Sequence, residues 1–274
     1  MKFKIAVVQF KITPQNPKRN LERIEKFIQQ AVKKTTNVII FPEDCVTGSI
    51  FGDRSKLDHN FSYRNAFQAL AKKYKIDIVG GSFMEGTPRG AFSTSYYIDA
   101  RGKVLGDYKK TNLYHSERHF LNPGSEIAVF DTKYGKAGLI ICWDIMFPEL
   151  FRRMMREGVQ IIYCPSYWYE EIAETGLQYN SKSEQNLIDA VAATRATENN
   201  IIFVYANAAG VTKNPNGSAD TLIGHSQVTM PFAGALQKVS SNQEKMFIQE
   251  IDLDILCKAE KIYRFHEDLV KRII

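Results

Sequence analysis

Short apolar strands alternate with amphipathic helices along nearly all of this 274-residue chain, and that alternation confines it to the α/β class. Residues 3–9 read as a first strand. Asn16-Pro17 then reads as an N-cap with proline at the first helical position. Leu21, Ile24, Phe27, Ile28, Ala31 and Val32 follow at helical spacing and form one apolar face. Residues 37–41 form a second strand. Tyr63, Phe67, Leu70, Ala71 and Tyr74 mark a second helix. Residues 76–83 form a strand interrupted by Gly80-Gly81, and residues 93–99 and 104–108 flank a turn at Ala100-Arg101-Gly102-Lys103, as in a hairpin.

The second half repeats this style. Strands are expected at 137–141, 159–164 and 201–206, and helices at 148–157 and 184–197. Leu187, Ala190, Val191 and Thr194 are the expected inward face of the latter helix. Paired strands are expected around Val228, Ala235 and Phe247, and a partly helical tail from 253 to 274. Residues 212–219, rich in Asn, Gly, Pro and Ser, read as a surface loop. Some strands are continuous apolar runs, which suits strands covered on both faces.

Composition narrows the function classes. Hydrophobic residues make up 44% and charged residues 24%, ordinary values for a globular protein. The net charge of +6 is spread among Asp and Glu rather than gathered in a patch, which argues against nucleic acid. No apolar run approaches the ~18 residues that span a bilayer. The four cysteines, Cys45, Cys142, Cys164 and Cys257, form no C-x-x-C pair. A cytoplasmic protein with reduced thiols is the expectation, and one thiol is then free for chemistry.

Three segments each put a reactive side chain at the end of an apolar strand. Phe41-Pro42-Glu43-Asp44 offers a carboxylate, Tyr108-Lys109-Lys110-Thr111 a cation and Ile140-Ile141-Cys142-Trp143-Asp144 a thiol. Each alone is more often structural than chemical. Free cysteine is among the most buried residue types, and loop carboxylates and lysine pairs are mostly solvated. Together they supply what thiol-mediated amide cleavage needs: a nucleophile, a base for its proton and a cation for the oxyanion. His115, His119 and His225 are rival bases in a Cys-His arrangement, and local spacing does not choose between them and Glu43.

At these residues the chain resembles the nitrilase superfamily of carbon–nitrogen hydrolases. The match begins at Ile5-Ala6-Val7-Val8-Gln9. It continues through Phe41-Pro42-Glu43, Tyr108-Lys109-Lys110-Thr111, Glu117 with Phe120 and Pro123-Gly124, and Cys142-Trp143-Asp144 with Phe147-Pro148-Glu149. Arg195-Ala196-Thr197-Glu198-Asn199, Asn207, Gly210, Gly224-His225-Ser226, Pro231 and Gly234 extend it. The resemblance implies a four-layer α-β-β-α sandwich spanning residues 1–274 as one domain. It implies Glu43 as base, Lys110 at the oxyanion, Cys142 as nucleophile and Glu117 in support. Trp143, Pro165, Ser166 and Tyr167 are then expected beside the substrate, and Trp168-Tyr169-Glu170-Glu171, which follow, read as a solvated turn ahead of the alternative that they line the entrance.

The implied reaction is hydrolysis of a linear amide or N-carbamoyl amine. Its alternatives are a nitrilase acting on a C≡N group and a non-catalytic binding relative. The resemblance also implies a homodimer, a small-molecule partner and no metal or organic cofactor. Departures are Trp143 and Met146 where many relatives carry Tyr and Arg, Asn112 in place of a histidine, and an atypical tail after Ile262.

Overall fold

The computed structural model describes residues 1–214 and 217–271. The first half runs β1 (Lys2–Gln9), α1 (Pro17–Lys33), β2 (Val38–Ile40), α2 (Ser62–Tyr74), β3 (Asp77–Thr87), β4 (Gly90–Ile98) and β5 (Val104–Lys109). The second half runs β6 (Ala128–Thr132), β7 (Gly135–Leu139), α3 (Pro148–Arg156), β8 (Ile161–Ser166), α4 (Ser183–Glu198) and β9 (Ile202–Asn207). There follow β10 (Val211–Lys213), β11 (Ala219–Thr221), β12 (Gln227–Met230), β13 (Gly234–Lys238), β14 (Lys245–Asp252), α5 (Asp254–Tyr263) and α6 (Phe265–Lys271).

Two six-stranded sheets result, ordered β14-β1-β2-β3-β4-β5 and β13-β12-β9-β8-β7-β6. Each has a parallel centre, β1-β2-β3 and β9-β8-β7, flanked by antiparallel strands. The strand period of two decides what each face meets. In β1, Ile5 and Val7 join the core shared with the second sheet, while Ala6 and Val8 join the core under α1 and α2. Tyr97 of β4 packs on Tyr163 of β8 with ring centroids 5.7 Å apart, so the sheets lie face to face. Leu150 and Phe151 of α3 and Ile188 and Ala192 of α4 cover the second sheet. The order of layers is therefore helices, sheet, sheet, helices.

Local chemistry explains several boundaries. The Asn16 side chain accepts from Arg19 N at 3.1 Å, capping α1 just ahead of Pro17. The Gly80-Gly81 interruption is a bulge in the β3–β4 pairing. Gly81 has φ +85°, and a Cβ there would sit 2.1 Å from the Pro42 carbonyl oxygen. Only glycine lets the loop after β2 lie this close, and that loop carries Glu43.

The structure departs from the sequence reading in four places. Strand β3 runs on to Thr87 and turns directly into β4, a hairpin hidden by the Gly-Gly break. Val32 is exposed rather than part of the buried face of α1. Phe247 does not pair beside Val228. It lies in β14, opposite Val7 in the other sheet. On α4 the buried residues are Glu184, Ile188, Ala192, Arg195 and Ala196; of the expected set Leu187 and Val191 pack half-buried against the core, while Ala190 and Thr194 are exposed. The buried face of α4 includes polar groups with tertiary partners: Glu184 accepts from Trp168 Nε1 at 2.6 Å and Arg195 donates to the Ile145 carbonyl at 3.1 Å. Apolar periodicity does not register such a face. Of the expected loop 212–219, Thr212 and Lys213 end β10 and Ala219 begins β11, Asn214, Gly217 and Ser218 lie in the connection between them, and Pro215 and Asn216 lie outside the described residues.

Candidate active site

The ends of β2, β5, β7 and β8 converge on a cavity of about 590 Å³, a size suited to a small molecule. Glu43, Lys110, Glu117 and Cys142 all line it, as do Trp143 and Tyr167. Pro165 and Ser166 do not. They are the last two residues of β8, buried and paired with Ala206 and Asn207 of β9, and Tyr167 is the first residue past the strand to reach the cavity.

Strand alternation sorts the two neighbouring lysines. Tyr108 and Lys110 share one side, and Lys109 points the other way, its Nζ 4.3 Å from the centre of the Phe92 ring. Lys110 is buried, and its Nζ donates to Glu43 Oε1 at 2.9 Å and to Glu117 Oε1 at 2.7 Å. Burial works against its charge, but Glu117 and then Glu43 outweigh that and hold its pKa well above the usual lysine value. Lys110 is therefore a fixed ammonium. Its own backbone is clamped by Gly124, whose N–H donates to the Lys110 carbonyl at 2.8 Å.

Each carboxylate is anchored at its other oxygen. Glu43 Oε2 accepts from the Tyr167 N–H at 3.0 Å, and Glu117 Oε2 from the Tyr114 N–H at 2.7 Å. Burial raises the Glu43 pKa against the pull of Lys110, which makes it a stronger base than an exposed glutamate. Cys142 begins a short 3₁₀ turn after β7, at φ +47°. A non-glycine residue in that region is strained, and such strain gathers at functional sites. Burial first, and then the negative charge of Glu43, push the Cys142 thiol well above its usual range, while Lys110 opposes them. The Cys142 thiol therefore holds its proton more tightly than a free cysteine, in the cavity that Glu43 also lines.

Asp144 ties the lysine strand to the cysteine turn. Its Oδ2 accepts from the Tyr108 hydroxyl at 2.9 Å and from the Ile141 N–H at 3.0 Å. Its Oδ1 accepts from the Asn112 N–H at 2.8 Å and from Asn112 Nδ2 at 2.9 Å. The sequence reading quoted Asp144 without a role and saw Asn112 only as a departure. Their partnership spans more than thirty residues and has no local signal.

Further lining residues were also missed. Tyr114 and Asp220 face the cavity, as does Asp44 beside Glu43; Tyr169 lines it too, as the alternative reading of its segment had it. Trp168-Tyr169-Glu170-Glu171, read as a solvated turn, is instead tied down. Trp168 is fully buried and stacks on Trp143 at 5.3 Å, and both Glu171 oxygens accept from Thr221 at 2.8 Å. Of the rival histidines, His225 is bonded to Asp189 at 3.1 Å and does not line the cavity. His115 stacks on Tyr114 at 4.9 Å, and His119 lines the outer cavity. The charges that act on the Cys142 thiol come from Glu43, Lys110 and Glu117. Among the described residues no group of three His, Cys, Asp or Glu side chains is arranged to hold a metal ion, and no helix is long and apolar enough to cross a membrane.

Comparison with known proteins follows the same lines. The family model described as carbon-nitrogen hydrolase matches residues 4–259. A 2-oxoglutaramate amidase of Bacillus subtilis is 26% identical, over 99% of this chain and 99% of its own length. An N-carbamoylputrescine amidase of Oryza sativa subsp. japonica is 28% identical, over 92% of this chain and 87% of its own. The crystal structure of Saccharomyces cerevisiae Nit3, a member of branch 10 of the nitrilase superfamily, superposes with a TM-score of 0.80 at 26% identity. It covers 96% of this chain and 94% of Nit3.

Proposed function

This chain belongs to the carbon–nitrogen hydrolase family, and on that premise we propose that it hydrolyses a linear amide or N-carbamoyl amine through a thioester on Cys142. The observation that carries the reading is the Glu43–Lys110–Glu117 clamp facing the strained Cys142 turn in one cavity. Amidases among the relatives support the substrate class.

In this mechanism Glu43 takes the thiol proton as sulfur attacks the carbonyl carbon. The carbonyl π electrons move to oxygen. Lys110 and the backbone N–H of Trp143 stabilise that oxyanion. Collapse expels the amine, which receives the proton from Glu43, and a thioester remains. Water then attacks the thioester while Glu43 accepts its proton. The acid leaves and the thiol is restored. Glu117 acts through Lys110, holding the ammonium in place. Trp143 and Tyr167 flank the bound amide. The chain works as one domain over residues 1–274, as a cytoplasmic homodimer on a small molecule, without metal or organic cofactor.

Replacing Cys142 with Ala should abolish ammonia or amine release. Replacing Glu43 with Gln should lower kcat by about 10²–10⁴. Mass spectrometry of the wild type, quenched during turnover, should find the acyl group on Cys142. Retained turnover in the Cys142→Ala variant would sink the proposal. Activity confined to nitriles would replace the amidase with a nitrilase.

A further inference from the structure

The cavity is acidic although the chain is basic. Its lining holds the carboxyl groups of Glu43, Asp44, Glu117 and Asp220 and the ammonium of Lys110, in a protein of net charge +6. Lys110 is engaged by Glu43 and Glu117. Asp44 and Asp220 are left without that cation.

Asp44 stands out among the four. It follows Glu43 directly, yet both line the cavity. Consecutive residues of an extended chain would face opposite ways. Both lie in the turn after β2, where Asp44 takes the left-handed φ of +52°. The residue is 4% exposed, and its Oδ1 has no hydrogen-bond partner among the described residues. Burial first, and then the charges of Glu43 and Glu117, hold its carboxyl well above the usual range. A buried carboxyl oxygen left unpaired is costly unless something completes it. Asp220 differs. Its oxygens accept from Asn214 Nδ2 at 2.8 Å and the Tyr167 hydroxyl at 3.4 Å, both neutral donors.

We propose that Asp44 is a specificity-determining residue that receives an ammonium group on the substrate, remote from the bond that is cut. The inference rests on the amidase reading of Cys142 and names its substrate class: amides or carbamoyl amines with a cationic tail. An ammonium against the part of Asp44 that lines the cavity would offset the carboxyl charge as Lys110 offsets that of Glu43. Asp220, on the same lining, adds to the field. A substrate with a carboxylate tail would meet two carboxyl groups and no unengaged lysine or arginine among the lining residues.

The test measures binding to the Cys142→Ala variant, which leaves amides intact. The probes are 4-aminobutanamide, pentanamide and succinamate, matched in length and differing in tail charge. The cationic amide should bind roughly ten- to hundredfold more tightly than the neutral one, and succinamate weakest. Adding Asp44→Asn, a residue that also tolerates a left-handed turn, should erase most of the cationic preference. Equal binding of the three probes overturns the proposal. So does tightest binding of succinamate, which would make Asp44 a neutral donor to a carboxylate. The binding order on the unaltered Asp44 decides the matter even if the double variant fails to fold. Ammonia release from the same amides by the wild type is read separately. Its absence would count against the hydrolase reading and leave the binding result standing.

Discussion

The adjacent residues Glu43 and Asp44 put two buried carboxyl groups into one cavity, and they are completed in different ways. Both Glu43 oxygens are taken, one by the Lys110 ammonium and the other by the Tyr167 N–H. Asp44 keeps an oxygen with no partner among the described residues. Burial raises both pKa values, but only for Glu43 is a cation bonded to the carboxyl to hold the rise in check. The contrast teaches what a buried charge is for. The carboxylate satisfied inside the protein is held in one orientation by Lys110 and the Tyr167 N–H. On our proposal, the one without a bonded cation is completed by the substrate.

The strongest way to break this comparison is to remove the shared cation. Lys110→Met would leave Glu43 and Glu117 buried with no countercharge. We expect a stability loss of about 3–5 kcal/mol near neutral pH together with loss of turnover. The loss should shrink in acid, because protonating both carboxyls removes their repulsion. Denaturant titrations at several pH values check this. Equal stability of variant and wild type at neutral pH would mean that the clamp is not a desolvated ion cluster.

Glu85 tests burial without the substrate cavity. It lies in β3, its Oε2 accepts from the Tyr96 hydroxyl at 2.7 Å, and it does not line the cavity. Burial lifts its pKa to about 7, against the hydrogen bonds from Tyr96 and Thr94 and the charge of Arg64. The folded pKa is above the unfolded one, so the folded state binds the extra proton. Its contribution is full below the unfolded pKa and is lost as pH rises through about 7. The loss over that window should be on the order of 1–3 kcal/mol, and Glu85→Gln should flatten the profile. An unchanged slope in the variant would assign the pH dependence elsewhere.

The smallest effect is expected at Asp44 in the empty protein. Asp44→Asn removes a carboxyl whose ionisation is opposed by burial, so stability above neutral pH should stay level or rise, by up to about 1 kcal/mol. Thermal melts of both proteins across pH measure it. A loss as large as that of Lys110→Met would show that Asp44 already has a partner inside the protein.

Much of the site was legible along the chain because reactive residues sit where strands end. Glu43, Lys110 and Cys142 each follow an apolar run, and the family resemblance joined them. Strand period also separates Lys110 from Lys109, since Tyr108 and Lys110 must share a side. Where polar groups face inward, reading failed. On α4 the expected Leu187 and Val191 are half-buried against the core, but Ala190 and Thr194 are exposed, and the buried Glu184 and Arg195 carried no apolar signal. Trp168 to Glu171 looked like a solvated turn because their partners, Trp143, Glu184, Gln185 and Thr221, lie elsewhere in the chain.

By itself the sequence determined the α/β alternation, the cap at Asn16 and the strand ends that carry acid, cation and thiol. These are local matters, governed by side-chain period and backbone preference over a few residues. Only the tertiary structure decided that Lys110 lies between Glu43 and Glu117, that Asp144 bridges two strand ends, and that Asp44 keeps a buried oxygen with no partner among the described residues. Glu43 and Lys110 are 67 residues apart. Whether a charge is desolvated, and what then pairs with it, depends on how the two sheets close around the cavity, and no short stretch of chain contains that information.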